Sequence, residues 1–328
     1  MARGLNIIGV VGLGLMGSSI IVSFLRAGYH VIAITPLPLD LEEGRKRVME
    51  QLRVCSEMKL LPKPISEYSN FLTISDDFSL LENCDLVNEC IVEIEQIKKE
   101  IYQKIESIVR HNCIISSNTS AIPINILQNH FLLPERFMGI HWAEPAYSTR
   151  FLEITCGEKT DVSLAELVLE EAGRWEKEPT LLYKDIRGFI TNRLMYAVYR
   201  QGFDLINKEI IDMAGLDKCF QYDVGQWITI MGIFKRMDFE GIDKYINSYK
   251  EIFPKLSQSD KVPPQMATIL ETQGRGIHNL KGLYHHTDES AELLEKNLSV
   301  FNKEIYRLAD LFRSKIQNLN LSESNGKQ

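Results

Sequence analysis

The chain has 328 residues, 45% of them hydrophobic and 25% charged, with a formal net charge of -7. That length is about twice a common domain length, and the composition is that of a globular protein with a sizeable core, which excludes fibrous, low-complexity and disordered classes. The acidic balance argues against sequence-independent nucleic-acid binding, which needs a lysine and arginine surplus on at least one face, and points to a small-molecule ligand.

At the N-terminus "LNIIGVVGLGLMGSSIIVSFL" has the apolar character of a signal segment or membrane span. Its clustered glycines, Gly9, Gly12, Gly14 and Gly17, speak against both, so no membrane association and a cytoplasmic location are expected. Gly12, Gly14 and Gly17 have the GxGxxG spacing between an apolar strand and a helical run. In that pattern the first glycine allows the tight turn, the second lets the backbone approach a pyrophosphate, and the third lets helix and strand pack closely. The pyrophosphate then meets the N–H groups at the helix start, here Leu15 and Met16. A bound dinucleotide follows. The next strand, "HVIAIT", ends in Thr35 where an NAD enzyme usually offers Asp or Glu to the adenosine ribose. Thr35 can offer one hydroxyl, and Arg45 or Lys46 could reach a 2′-phosphate, so NAD and NADP both stay open.

Further along, short β-branched runs ("FLTIS", "DLVNECI", "CIISSN", "FMGIH", "FLEITCG", "PTLLY") alternate with helical stretches. The clearest is "EIEQIKKEIYQKIESIV", with Ile94, Ile97, Ile101, Ile105 and Ile108 three and four residues apart. This alternation predicts an α/β domain of the Rossmann type, a doubly wound and mostly parallel sheet over residues 1–185. After "KDIRGFITN" strand signals stop and long periodic segments predict an all-helical C-terminal domain over 186–318. Residues 319–328 read as a disordered tail. The six cysteines include no CxxC pair and are expected to be reduced and structural, with no metal site.

Polar residues at the ends of strands carry most weight, because ligands of doubly wound sheets bind there. "CIISSNTSAIPI" ends in Ser116, Ser117, Asn118, Thr119 and Ser120, which could equally cap the following helix. "FMGIH" ends in His141. "RFLEITC" holds Glu153 between Leu152 and Ile154, where an unpaired buried carboxylate would cost several kcal/mol. His141 is the natural partner: a carboxylate on one ring nitrogen fixes the tautomer and leaves the other to move a proton to or from a hydroxyl.

The motifs "GLGLMG", "NECIVEIEQIKKE", "IISSNTSAIPI", "RFMGIHWAEPAY", "FLEITCG" and "DIRGFITNRLMYA" resemble, in order and spacing, the 3-hydroxyacyl-CoA dehydrogenase family, whose single-chain relatives include L-gulonate 3-dehydrogenase and lambda-crystallin. The resemblance implies an NAD-linked oxidoreductase of fatty acid metabolism that interconverts a 3-hydroxyacyl and a 3-oxoacyl substrate by hydride transfer, with His141 as acid/base and Glu153 as its partner. It implies that Ser117 and Asn192 position the substrate oxygen and the nicotinamide, that Glu93 and Lys98 contact the cofactor, and that basic residues within 59–63 approach coenzyme A. It further implies a homodimer with the helical half closing over a small-molecule substrate, possibly an acyl-CoA. Without the resemblance, Glu93 and Lys98 read as solvated charges on a surface helix.

Three positions depart from the family pattern. Glu144 stands for the Asn of "H-x-x-N-P", Thr35 for the strand-end Asp, and "DIRGF" for "DTPGF". Glu144 turns an amide that can donate and accept into an acceptor-only anion. It raises the alternative of a substrate without coenzyme A. A second alternative is a dinucleotide-binding protein that has lost catalysis.

Overall fold

The computed structural model describes residues 4–325. The chain divides into two compact units, Met1–Asn192 and Arg193–Gln328. In the first unit each apolar run becomes a strand: β1 (Ile7–Val11), β2 (His30–Ile34), β3 (Leu72–Ser75), β4 (Leu86–Glu89), β5 (Ile114–Ser117), β6 (Phe137–Trp142), β7 (Phe151–Cys156) and β8 (Glu178–Leu182). They form one sheet in the order β3-β2-β1-β4-β5-β6-β7-β8. Every pairing is parallel except β6 with β7. β4 and β5 are buried at every position, as expected of strands covered on both faces by helices.

The covering helices are α1 (Leu15–Arg26), α2 (Leu41–Glu57), α3 (Ile65–Ser69), α4 (Glu95–Glu106), α5 (Ile124–Gln128) and α6 (Val162–Arg174). Strand order reverses between β1 and β4, which places the crevice used by ligands at the carboxyl ends of these strands. α4 corrects the simple periodic reading. Its buried positions are Lys98, Tyr102 and Ile105, while Ile94 and Ile97 are exposed. The buried lysine is explained by an ion pair described below.

The second unit is helical: α7 (Thr191–Asn207, beginning at the end of the first unit), α8 (Met213–Cys219), α9 (Gly225–Glu240), α10 (Ile242–Ile252), α11 (Pro264–Glu271) and α12 (Asp288–Asn325). Gly232, at φ +67°, breaks α9 into two runs. Of the segment 319–328, residues up to Asn325 continue α12 and 326–328 lie outside the described residues. Among the described residues no helix is long and apolar enough to cross a membrane.

One core cluster fixes α1 against the far side of the sheet. The Phe24 ring meets Tyr29, Trp142 and Trp175 edge-on at centroid distances of 6.1, 5.3 and 5.0 Å, and the two indoles stack at 5.6 Å. Such packing adds to the free energy of burial alone. Phe24→Ala is expected to lower stability by about 3–5 kcal/mol in urea unfolding; a loss under about 1 kcal/mol would mean the cluster collapses to fill the space.

Candidate active site

A cavity of about 650 Å³ opens at the carboxyl ends of β1, β4, β5 and β6. Its wall includes Gly14, Leu15 and Met16 at the start of α1, Asn118 and Ser120 after β5, His141 and Glu144 at and after the end of β6, and Thr191 and Asn192.

β6 and β7 run antiparallel with His141 directly opposite Glu153. Side chains at such a position share one face of the sheet, so the pairing brings imidazole and carboxylate together. His141 Nδ1 lies 3.0 Å from Glu153 Oε2. The other oxygen, Oε1, accepts the backbone N–H groups of Ile190 and Thr191 at 3.1 and 3.2 Å. Glu153 is 1% exposed. Burial pushes its carboxyl pKa up, but the hydrogen bonds and charge of His141 and the two amides outweigh this and hold it below the usual carboxylate value. Glu153 is therefore an anion at neutral pH. The Nδ1 proton donates to it, which leaves the Nε2 lone pair as the base. Phe151 and Phe189 flank the imidazole at centroid distances of 5.5 Å.

The glycine loop fits a dinucleotide. Gly12 has φ +109°, and a Cβ there would lie 2.6 Å from the Cys90 carbonyl oxygen. A Cβ on Gly17 would lie 1.9 Å from the Gly12 carbonyl oxygen, the close helix–strand approach that the third glycine permits. At Gly14 the space is open, with no atom within 4 Å. No side chain caps the α1 N-terminus, so its first N–H groups point out of the loop, available to a pyrophosphate. Arg47 of α2, a residue with no signal in the sequence, braces this loop: it donates to the Leu13 carbonyl at 2.6 Å and pairs with Asp40 at 2.8 Å.

Thr35, Ser117 and Lys98 are buried and are not among the residues that line the cavity. The Thr35 hydroxyl donates to the Leu37 carbonyl at 3.0 Å. Ser117 is buried, and its hydroxyl donates to Glu89 Oε2 at 2.7 Å. Ser120, three residues on, lies at the wall instead. Lys98 is 1% exposed and pairs with Glu89 at 2.7 Å and Glu93 at 3.3 Å. It is neither a solvated charge nor part of the cavity wall. Tyr102 also donates to Glu89 Oε2, at 2.6 Å, and the Ile91 amide donates to Oε1 at 2.6 Å. Glu93 accepts from the Thr119 hydroxyl and, at 3.3 Å, from the Ala121 amide. These two carboxylates therefore hold the 117–121 turn from beneath, leaving Asn118 and Ser120 at the surface of the cavity. Lys46, considered for a 2′-phosphate, is paired with Glu43 at 2.7 Å, and Arg45 is exposed on α2. Lys59 and Lys63 are also exposed and outside the cavity wall.

Residues 7–186 match the family described as 3-hydroxyacyl-CoA dehydrogenase, NAD binding domain, and residues 188–286 match its C-terminal domain. The chain is similar to the 5-formyl-3-hydroxy-2-methylpyridine 4-carboxylate 5-dehydrogenase of Mesorhizobium japonicum: 29% identical over 290 residues, 88% of this chain and 93% of that protein. A crystal structure of a 5-dehydrogenase acting on that pyridine acid, described as an NAD+-dependent dismutase, aligns with a TM-score of 0.85 and 27% identity, covering 93% and 99% of the two chains. The (S)-3-hydroxybutyryl-CoA dehydrogenase of Ralstonia eutropha shares the fold, with a TM-score of 0.71 and 22% identity over 87% and 100%.

The loop geometry separates two glycine variants. Gly14→Ala should melt like the wild type, yet bind NADH about tenfold or more weakly, because its methyl occupies the pyrophosphate approach. Gly17→Ala should lower the melting temperature, since the backbone itself must move. Thermal melting and NADH fluorescence titration measure both, and wild-type NADH affinity in Gly14→Ala would remove the loop as the pyrophosphate site.

Proposed function

The chain belongs to the 3-hydroxyacyl-CoA dehydrogenase family, whose members are NAD-dependent dehydrogenases acting on CH–OH groups, and from that premise we propose that its own substrate is a small hydroxy compound without coenzyme A. The observation that carries this reading is Glu144, exposed at the cavity wall three residues after His141. A carboxylate there cannot donate to a thioester carbonyl, but it accepts from a hydroxyl or a protonated ring nitrogen. The similarity to a dehydrogenase named for a pyridine carboxylate supports the same choice.

His141 is the acid/base. Its Nε2 takes the substrate hydroxyl proton, and Glu153 stabilises the imidazolium that forms without itself becoming protonated. NAD, when bound, supplies the hydride acceptor beside the CH–OH carbon. Ser120, Asn118 and Asn192 face the same cavity and are assigned to orienting the substrate oxygen and the nicotinamide side. For Asn192 this is the role that the motif resemblance implies. Ser120 takes the one first given to Ser117. Glu93 and Lys98 act on the cofactor side through the turn they brace. A hydrated aldehyde also presents a CH–OH group, so the same residues can oxidise an aldehyde to an acid.

A second reading, interconversion of 3-hydroxyacyl-CoA and 3-oxoacyl-CoA, is supported by the family match itself. Two copies of the chain are inferred to associate, since α7 buries only Gly202 and leaves Leu194, Tyr196 and Tyr199 exposed.

Following NADH oxidation with acetoacetyl-CoA and NAD reduction with small aromatic and aliphatic hydroxy acids separates the readings. Turnover of a CoA-free compound, reduced about 10²–10⁴-fold in His141→Ala with NADH binding retained, is expected. Brisk turnover of acetoacetyl-CoA would overturn the CoA-free assignment, and an undiminished rate in His141→Ala would remove His141 as the base.

A further inference from the structure

The loop 143–150 joins β6 to β7 and carries Ala143 and Glu144 into the cavity wall. It has no regular structure, so its shape depends on what holds its backbone groups. From within, Thr149 Oγ1 donates to the carbonyls of Ala143 and Pro145, at 3.0 and 3.1 Å, and the Ser148 amide donates to the Pro145 carbonyl at 3.1 Å. From outside, two side chains of α1 reach it: Ser19 Oγ accepts the Ala146 amide, and Arg26 donates to the Tyr147 carbonyl.

A third outside contact is Lys177, which precedes β8 and is 6% exposed. Its ammonium donates to the carbonyls of Ala146 and, at 2.5 Å, Thr149, and lies 5.3 Å from the centroid of the Trp142 ring, next to His141. A lysine is an expensive way to fill a buried position, because its charge must be met by dipoles and by the ring face. The charged groups that act on it are Arg26 of α1, paired with Glu176 at 2.5 Å, and Glu176 itself. Burial pushes the lysine pKa down to about 7, Arg26 pushes the same way and Glu176 opposes.

We propose that Lys177 is a positioning residue for substrate binding: by tying the Ala146 and Thr149 carbonyls together beneath the loop, it fixes where Ala143 and Glu144 stand in the cavity wall. The proposal rests on the reading that this wall faces the substrate. It does not depend on which substrate that is. Lys177 is not itself among the residues that line the cavity and has no bond to the glycine loop, so its effect should reach substrate recognition through the loop and leave the cofactor alone.

Two variants test it. Lys177→Met removes the donors and Lys177→Gln keeps one, and both side chains are one atom shorter than lysine, so the pair differs in the donor and not in length. In the full-length protein, hydrogen exchange resolved by peptide should be about fivefold or more faster at 143–149 in Lys177→Met, with β1 and α1 unchanged and Lys177→Gln between. The substrate KM should rise about tenfold while the NAD KM stays within about twofold. Wild-type exchange at 143–149 in both variants, or in Lys177→Gln alone where Lys177→Met does not fold, overturns the proposal. So does a substrate KM unchanged in a folded variant, or an NAD KM that rises in step. If the wild type turns over no CoA-free compound, the proposed substrate class fails, while the exchange result still decides the role of Lys177.

Discussion

The site depends on how one buried carboxylate is satisfied. Glu153 sits in an apolar strand where a lone charge would be costly, and it is met on one oxygen by His141 and on the other by the amides of Ile190 and Thr191. This single group therefore joins β6, β7 and the segment that enters α7. The sign of its pH dependence follows. With its folded pKa below the unfolded value, the pairing contributes stability in full above the ordinary carboxylate range, and that contribution is lost as pH falls through the lowered folded value. The same anion that orients the imidazole also keeps Thr191 and Asn192 at the cavity wall, so catalysis and local architecture share one interaction.

A second carboxylate does different work. Glu89, at the end of β4, is fully buried and receives Lys98, Tyr102, Ser117 and the Ile91 amide. Removing one partner from such a group leaves an uncompensated charge and costs about 3–5 kcal/mol, whereas the intact set is close to neutral for stability. Its service is geometric: with Glu93 it pins the turn between Ser117 and Ala121, so that Asn118 and Ser120 are presented to the cavity. Glu153 holds the base and Glu89 holds the turn opposite it.

Much of this was legible in the sequence, for physical reasons that also explain what was not. The strands announce themselves because each contains a short apolar or β-branched run, even where buried polar residues end it, as in β4 and β5. The His141–Glu153 pair is legible because a carboxylate inside such a strand needs a partner and His141 lies near the end of the strand before it. The glycine loop is legible because three positions tolerate no Cβ or need none. The burial of Lys98 is not legible from periodicity, which assigns charge to the outside of the helix; only the three-dimensional neighbour Glu89 explains it. Ser117 and Ser120 sit in a polar turn without periodicity, where nothing in the spacing says which hydroxyl faces the ligand. Arg47 and Lys177 left no signal, since each is placed by backbone carbonyls 34 and about 30 residues away in the chain.

Everything proposed for the site requires that Glu153 fix the tautomer of His141 so that Nε2 is the base. Nitrogen-15 NMR of the histidine side chains, assigned with His141→Gln, measures it at a pH where the imidazole is neutral. A proton on Nδ1 and a bare Nε2 are expected in the wild type, with the preference lost in Glu153→Gln. A proton on Nε2 in the wild type, or an unchanged tautomer in Glu153→Gln, would contradict it.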